Sequence, residues 1–436
     1  MNLVGASAPS PVDEETGIVR WLVDISDDPG EPAIFNCSTK MADTRRFMPL
    51  GCFDSNGGAG LTREQARGAA LGEALERYCA SVYFSDELVL ASHRELAGDG
   101  SRRALSPQEL RLFDPRQRDE IRYDWFEGGT RICWTEGFSL THREPVLVPA
   151  SLVYIPYFPF GRDRGERSIG PSISTGQACG ADHRQATLRG LCEVVERDAF
   201  TISWLQRLPG RAIRLDSSPA LSRLFSERFD RPHLDFTLLQ LQTDIEIACV
   251  FCLIVDSSAT PALVATGGAA SLDPEEAVRK ALVEAVQTRQ WAKFLGNQPR
   301  PVLVEPDWSG VDDFERHVFV YAYCDMLDAV EFLRSATDSV DIAELPRAEP
   351  GADPLEQARE RVEAVGAEVL VVDLTTADVA ACGYSVVKVI VPSAQQLEGD
   401  HSHRLLGSPR LYELPRKLGS TPCGYEQLNP FPHPYP

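Results

Sequence analysis

The sequence predicts a mixed α/β fold, α+β in part, in which one loop–helix unit occurs three times and packs on β-sheets. A small, Gly-containing segment leading into an amphipathic helix recurs near residues 55–83, 174–205 and 266–295. Between and after these units lie β-branched runs of strand length. No segment approaches the roughly 18 to 20 uninterrupted apolar residues of a bilayer span.

The units begin Ser55-Asn-Gly-Gly-Ala-Gly-Leu-Thr-Arg-Glu-Gln-Ala66, Ser174-Thr-Gly-Gln-Ala-Cys-Gly-Ala-Asp-His-Arg-Gln-Ala186 and Thr266-Gly-Gly-Ala-Ala-Ser-Leu-Asp-Pro-Glu-Glu-Ala277. In each, the closing alanine precedes a glutamate by seven residues, and a second acid or an amide follows three later. The pairs are Glu73 with Glu76, Glu193 with Glu196, and Glu284 with Gln287. Helix starts are marked as well. Thr62 stands at capping-box spacing from Gln65, Asp182 can cap the second helix, and Asp273 precedes a proline suited to the first helical position. Helices are therefore expected near 63–83, 183–205 and 274–295.

Phe236 to Leu241 and Glu246 to Val255 read as a paired β unit, and Ala262 to Thr266 as a strand entering the third loop. Val311 to Arg334 is mostly helical in pattern, and the acid-, proline- and glycine-rich stretch Asp338 to Asp353 reads as a surface linker. A helix near 354–365 and strands at Glu368 to Leu374 and Tyr384 to Val391 form one more α/β unit. From Leu405 onward the chain is loop-rich, and prolines at 430, 432, 434 and 436 impose an extended, polyproline-like path.

The 436 residues suffice for about three domains. Forty-three Lys and Arg against 64 Asp and Glu leave a net charge of −21, which repels polyphosphate backbones, so no nucleic-acid partner is expected. The opening MNLVGASAPSPVDEETG lacks a basic stretch followed by an apolar core, so no secretory signal and no membrane partner are expected, and the location is read as cytoplasmic. Eleven cysteines, an odd number with many in apolar runs, fit reduced core thiols. Cys249-Val-Phe-Cys252 has the spacing of a metal pair, but no second CxxC exists, and on a strand the two thiols face opposite ways.

Residues three apart on a helix share a face, so each pair presents two oxygen-bearing groups in one direction. Convergence of the three helices would gather five carboxylates, which repel one another unless cations compensate. Hard divalent cations are their natural partners, and magnesium bound by oxygens keeps positions for phosphates. Ser55, Asn56, Ser174 and Thr175 offer amides and hydroxyls that were expected beside helix N-termini, and Arg77, Arg197 and Arg289 follow the acidic pairs. A magnesium nucleotide site without a Walker or GxGxxG signature is implied. A lone ExxER is ordinarily a solvated helix face; its repetition behind a Gly-containing segment is the informative feature. The stiff tail is either a ligand for aromatic grooves or a device that projects the α-carboxylate of Pro436 into a cavity as an anion or general base.

The segments NGGAGLTREQARGAALGEALERYCA, STGQACGADHRQATLRGLCEVVERDAF and EAVRKALVEAVQTR, with the ending NPFPHPYP, resemble YcaO-domain proteins, most closely the ATP-dependent cyclodehydratases that form azolines in ribosomally made peptides. The resemblance implies a YcaO-like fold, with residues 1–50 as an N-terminal part of the catalytic fold, 51–404 as the catalytic domain and 405–436 as the tail ending in PxPxP. It implies ATP and Mg2+ as cofactors, Glu73, Glu76, Glu193 and Glu196 as metal-linked ligands, Arg197 near the phosphates, and Glu284 and Gln287 on a third nucleotide-proximal helix. Pro432, Pro434 and Pro436 match the terminal motif, which in azoline-forming members ends at the active site. The implied reaction activates a backbone amide oxygen by phosphorylation after a Cys, Ser or Thr side chain adds to the preceding carbonyl. Thioamide or amidine formation, or a nucleotide-binding scaffold without catalysis, are the alternatives. The expected partners are a precursor peptide and a separate leader-peptide-binding protein, since the first 50 residues are too few to hold such a domain. A homodimer is compatible with this reading.

Overall fold

The computed structural model describes residues 9–26, 29–48, 50–99, 102–159, 165–296 and 305–436. Residues 1–8, part of the segment read above for a secretory signal, lie outside these. Each repeat unit carries a β-strand through its expected loop, Ser55–Gly60, Gln177–Gly180 and Leu263–Ser271, the last continuing the strand expected at Ala262 to Thr266. The strands lead through Leu61-Thr62, Ala181-Asp182 and Leu272-Asp273 into helices Arg63–Ser81, His183–Gln206 and Pro274–Gly296, close to the expected bounds. The caps are the expected ones. Thr62 and Gln65 form a reciprocal capping box, Asp182 accepts from the Gln185 amide at 2.8 Å, and Asp273 from that of Glu275 at 3.0 Å.

The glycines of these strands serve close packing rather than turning. A Cβ on Gly58 would lie 2.1 Å from the Ala70 nitrogen, one on Gly180 2.5 Å from that of Ala186, and one on Gly267 2.3 Å from that of Ala285. Each helix answers with buried alanines, Ala66 and Ala70, Ala186, and Ala277, Ala281 and Ala285. Bare backbone against alanine brings helix and strand closer than side chains would allow.

Among the described residues each repeat strand is the edge of its own sheet. Ser55–Gly60 closes a three-stranded antiparallel sheet with Phe35–Met41 and Val19–Ile25. Leu263–Ser271 closes a five-stranded sheet through Ala248–Asp256, Leu234–Gln240, Arg211–Arg214 and Ser339–Asp341. Gln177–Gly180 closes a seven-stranded sheet through Ser385–Ile390, Leu370–Asp373 and Arg131–Ser139.

Helices and sheets alternate around a common hub. On the seven-stranded sheet, Val386 and Ile390 pack with Leu75 and Cys79 of the first helix, while Val387 and Val389 pack with Val194 of the second. On the five-stranded sheet, Cys249, Phe251 and Leu253 face the second helix, while Val250, Cys252 and Ile254 face the third. This double burial is why Ala248–Asp256 is apolar throughout, and it puts Cys249 and Cys252 in different cores. The three-stranded sheet sets Cys37 against Ala66 and Ala70 and, on its other face, Asn36 against Gln290 of the third helix at 2.7 Å.

The expected linker at 338–353 contains the strand Ser339–Asp341, paired in parallel with Arg211–Arg214, and buries Val340, Ile342 and Leu345; its acids and prolines hid those anchors. The helical stretch from Val311 is two helices, Phe314–Tyr323 and Leu327–Arg334. In the segment after Leu405, a helix at Arg410–Lys417 docks on the second repeat helix through Arg410 and Asp198, 2.7 Å apart. All eleven cysteines are free thiols.

Replacing Gly58 with Ala forces the first helix off its strand and is expected to cost about 1–3 kcal/mol or more in chemical denaturation. Gly68→Ala, on the exposed side of the same helix with nothing within 4 Å of the added methyl, is expected to stabilise by about 0.5–1 kcal/mol.

Candidate functional site

The three acidic pairs meet at the hub, each in the same manner. The first acid of each pair accepts from an amide in its own strand or, in the second repeat, immediately before it: Gly57 N–H to Glu73 at 3.3 Å, Gly176 N–H to Glu193 at 3.2 Å and Gly268 N–H to Glu284 at 3.2 Å. The second reaches the next repeat. Glu76 accepts from the Cys179 amide of the second strand at 2.7 Å. Glu196 accepts from Tyr435, whose hydroxyl lies over Gly268 of the third strand, and the Gln287 amide sits 3.2 Å from where Gly57 would carry a Cβ on the first. The cycle closes.

These contacts move the phosphate-facing positions away from the helix starts. Ser55 and Asn56 open their strand beside Glu73, in the body of the helix, and Ser174 and Thr175 precede theirs beside Glu193. The helix macrodipole does not act at these positions, because helix-end charge fades within a turn.

Burial dominates the electrostatics. It pushes Glu76 up to about 8, with Arg77 opposing and Glu193 adding, and Glu284 likewise to about 8, with Glu196 adding and Arg197 opposing. Glu193 is raised for the same reason. Burial works against the charge on Arg197, yet Tyr435, Glu196, Glu193 and Glu284 together raise its pKa. Water still reaches the group, since the Glu193 side chain keeps 28 % of its surface.

Arg77 lies in the hollow, donating to Gln177 at 3.1 Å and pairing with Glu73 at 3.5 Å. Arg197 sits 3.3 Å from Glu196 and 3.9 Å from Glu193. Arg289 does not join them, which corrects its expected role: it pairs with Glu31 and, at 2.6 Å, with Asp256, and is fully buried. Arg77 and Arg197 follow their first glutamate by four residues, Arg289 by five, and the extra residue turns its side chain about 100° around the helix.

The hollow suits a hard cation with phosphates. Its acids offer only oxygen, and beside Gly57 the buried Asn56 Nδ2 has no hydrogen-bond partner in the protein, while Arg197 Nε is held only by its ion pair with Glu196 at 3.3 Å. Among the described residues no three His, Cys, Asp or Glu side chains could hold a metal by themselves.

Sequence reasoning missed three residues here. Lys388, pushed down to about 7 by burial with Glu193 opposing, donates to the Ile173 carbonyl; a lone cation in Ser-Val-Val-Lys-Val-Ile was a readable signal. Gln177 links Arg77 to the Val153 carbonyl. The third is Tyr435. The tail is buried, not displayed as a ligand, and its carbonyls accept from side chains in succession: Asn429 from Arg404, Pro430 from His401, Phe431 from Trp204, Pro432 from Tyr321, His433 from His317 and Pro434 from Thr266, all at 2.7–3.2 Å. Half-buried Pro436 follows Tyr435.

A carboxylate whose folded pKa is raised favours the folded state at low pH, and that contribution is lost as pH climbs to the folded value. Glu284→Gln is therefore expected to gain stability over the parent as pH rises from 4.5 to about 8, by up to about 1.4 kcal/mol per pH unit. Thermal denaturation of both proteins across that range checks it, the difference cancelling the titrating groups that do not interact with Glu284.

An uncharacterized protein of Methanothermobacter thermautotrophicus is 34% identical over 236 residues, covering 53% of this chain and 56% of its own. Among solved structures, a heterocyclase in complex with substrate and cofactor superposes with a TM-score of 0.77 at 23% identity, covering 98% of this chain and 56% of that one. The heterocyclase TruD gives 0.65 at 26%, covering 86% and 51%. YcaO from Methanopyrus kandleri, bound with AMPPCP and Mg2+, gives 0.62 at 24%, covering 86% of each chain. The chain thus spans little more than half the length of the first of these relatives and of both heterocyclases. The family model for YcaO cyclodehydratases, described as ATP- and Mg2+-binding, matches residues 57–395, and with the three acid-bearing repeats inside that span the chain belongs to the YcaO family.

Proposed function

We propose that this chain is an ATP- and Mg2+-dependent cyclodehydratase that converts Cys, or Ser and Thr, residues of a ribosomally made precursor peptide to thiazoline or oxazoline. The observation that carries the reading is the convergence of the Glu73, Glu193 and Glu284 helix faces on one hollow, where Glu76, Glu193, Glu196 and Glu284 feel one another's charge and the buried Asn56 Nδ2 has no partner. A YcaO protein bound with AMPPCP and Mg2+, and heterocyclases of the same fold, support it.

In this reading residues 51–404 are the catalytic domain, 1–50 complete its fold and 405–436 are the tail. Glu73, Glu76, Glu193 and Glu196 hold magnesium. Ser55, Asn56, Ser174, Thr175, Arg77 and Arg197 orient the phosphates, and Glu284 and Gln287 line the third side. Bound magnesium nucleotide supplies the phosphoryl group that turns the peptide oxygen into a leaving group. Lys388 and Arg77 offset the charge of the carboxylates around Glu193. The α-carboxylate of Pro436 accepts the proton released as the peptide nucleophile adds. Leader recognition falls to a partner protein.

Glu193→Gln and Glu196→Gln are each expected to lower ATP-dependent dehydration of a precursor peptide by roughly 10- to 100-fold or more without lowering the melting temperature. Mass spectrometry reads the reaction as loss of one water per ring; a gain corresponding to sulfur replacing oxygen would instead identify thioamidation. Deleting Pro436 shifts the carboxylate back along the chain by up to about 3.6 Å. It should depress cyclisation on the order of a hundredfold while magnesium–AMPPCP still binds, and an unchanged rate would leave the tail a packing element only.

A further inference from the structure

We infer that Tyr435 is a positioning residue for the nucleotide site, through which tail docking and magnesium-nucleotide binding strengthen one another. The inference rests on the function proposed above and concerns a residue that the repeat pattern does not predict.

The hub is built from three like sides, but the third is finished differently. Gly57 on the first side is faced by the Gln287 amide. The matching Gly268 is faced by the Tyr435 hydroxyl, which stands 2.1 Å from where a Cβ would be, so only glycine accommodates it. From there the phenol contacts two charged groups of the second repeat, Glu196 and Arg197. Its hydroxyl donates to Glu196 Oε1, and its ring centre lies 4.0 Å from the Arg197 guanidinium carbon. One oxygen of Glu196 is thereby occupied and its rotamer fixed, leaving Oε2 for a cation. Phe200 at 4.5 Å and Phe251 at 6.2 Å clamp the fully buried ring. Thr266, whose hydroxyl would otherwise be free for a ligand, is bonded to Pro434 at 2.7 Å. The tail thus completes the wall of the hollow and orders two of its groups. If it raises affinity for the nucleotide, the nucleotide must tighten the tail by the same factor.

The test is calorimetric titration of the full chain with magnesium–AMPPCP, alongside hydrogen-exchange protection of the Phe431 and Tyr435 amides. Tyr435→Phe keeps the ring and removes only the bond to Glu196. It should weaken binding about tenfold with tail protection retained, and the extra protection the nucleotide gives the tail of the parent should shrink. Tyr435→Leu, which also loses the stacking on Arg197, should bind more weakly still. Parental affinity in Tyr435→Phe would overturn the inference, and so would a loss of affinity accompanied by release of the tail, which would make the residue a packing element. Failure of the parent itself to bind magnesium–AMPPCP would instead overturn the function proposed above.

Discussion

Five carboxylates sharing one hollow are the constraint around which this molecule is organised. Each close pair of like charges costs on the order of a few kcal/mol at the dielectric of a protein interior. Arg77, Arg197 and Lys388 offset part of that, and the amides of Gly57, Gly176 and Gly268 each stabilise one acid. Gln287 lightens the load by standing where the repeat would place a sixth acid. Burial first, and the uncompensated part of that repulsion second, raise the pKa values of Glu76, Glu193 and Glu284. A site that is unfavourable when empty is one that binds cations strongly, because the ligand relieves the repulsion it enters.

Backbone geometry makes the gathering possible. A glutamate reaches the amide of the strand beside it only if helix and strand nearly touch, and the Gly58–Ala70, Gly180–Ala186 and Gly267–Ala285 contacts provide that closeness. The glycines and alanines of the repeat thus have the same purpose as its acids. Placing each repeat strand at the edge of its own sheet lets all three point inward while the sheets fan outward between the helices.

Helix positions, caps and the shared face of each acidic pair were legible in the sequence because they follow from local spacing, whereas the meeting of the three faces was implied only by the family resemblance. Of the repeat strands only the β-branched start of the third was, since Ser-Asn-Gly-Gly-Ala-Gly has the composition of a turn, and only its partner helix reveals that the glycines are there to be bare. Arg289 was misplaced although its five-residue offset was visible; proximity to an acidic pair outweighed helical phase. Lys388 and Tyr435 lie far along the chain from Glu193 and Glu196, and no spacing rule links segments joined only by the packing of sheets. The tail's partners, at 204, 266, 317, 321, 401 and 404, are equally scattered.

The proline spacing of the tail has its own physical logic. A buried extended strand must satisfy a donor and an acceptor at every residue. With proline at every second position, half of the donors do not exist, and two of those that remain close locally: Phe431 donates to the Asn429 side chain at 3.2 Å and Tyr435 to His433 Nδ1 at 3.3 Å. The carbonyls then outnumber the amides, and side-chain donors from several elements supply them. The arrangement requires a neutral imidazole at His433, because Nδ1 accepts while Nε2 donates to the Glu398 carbonyl at 2.7 Å, and a proton on Nδ1 would face the Tyr435 amide. Burial first, and then His317 stacked 3.8 Å away, hold the His433 pKa well below its ordinary value, so the neutral form persists at physiological pH. A segment satisfied in this way is a fixed wall, and a fixed wall can orient Glu196 and Arg197 before any ligand arrives.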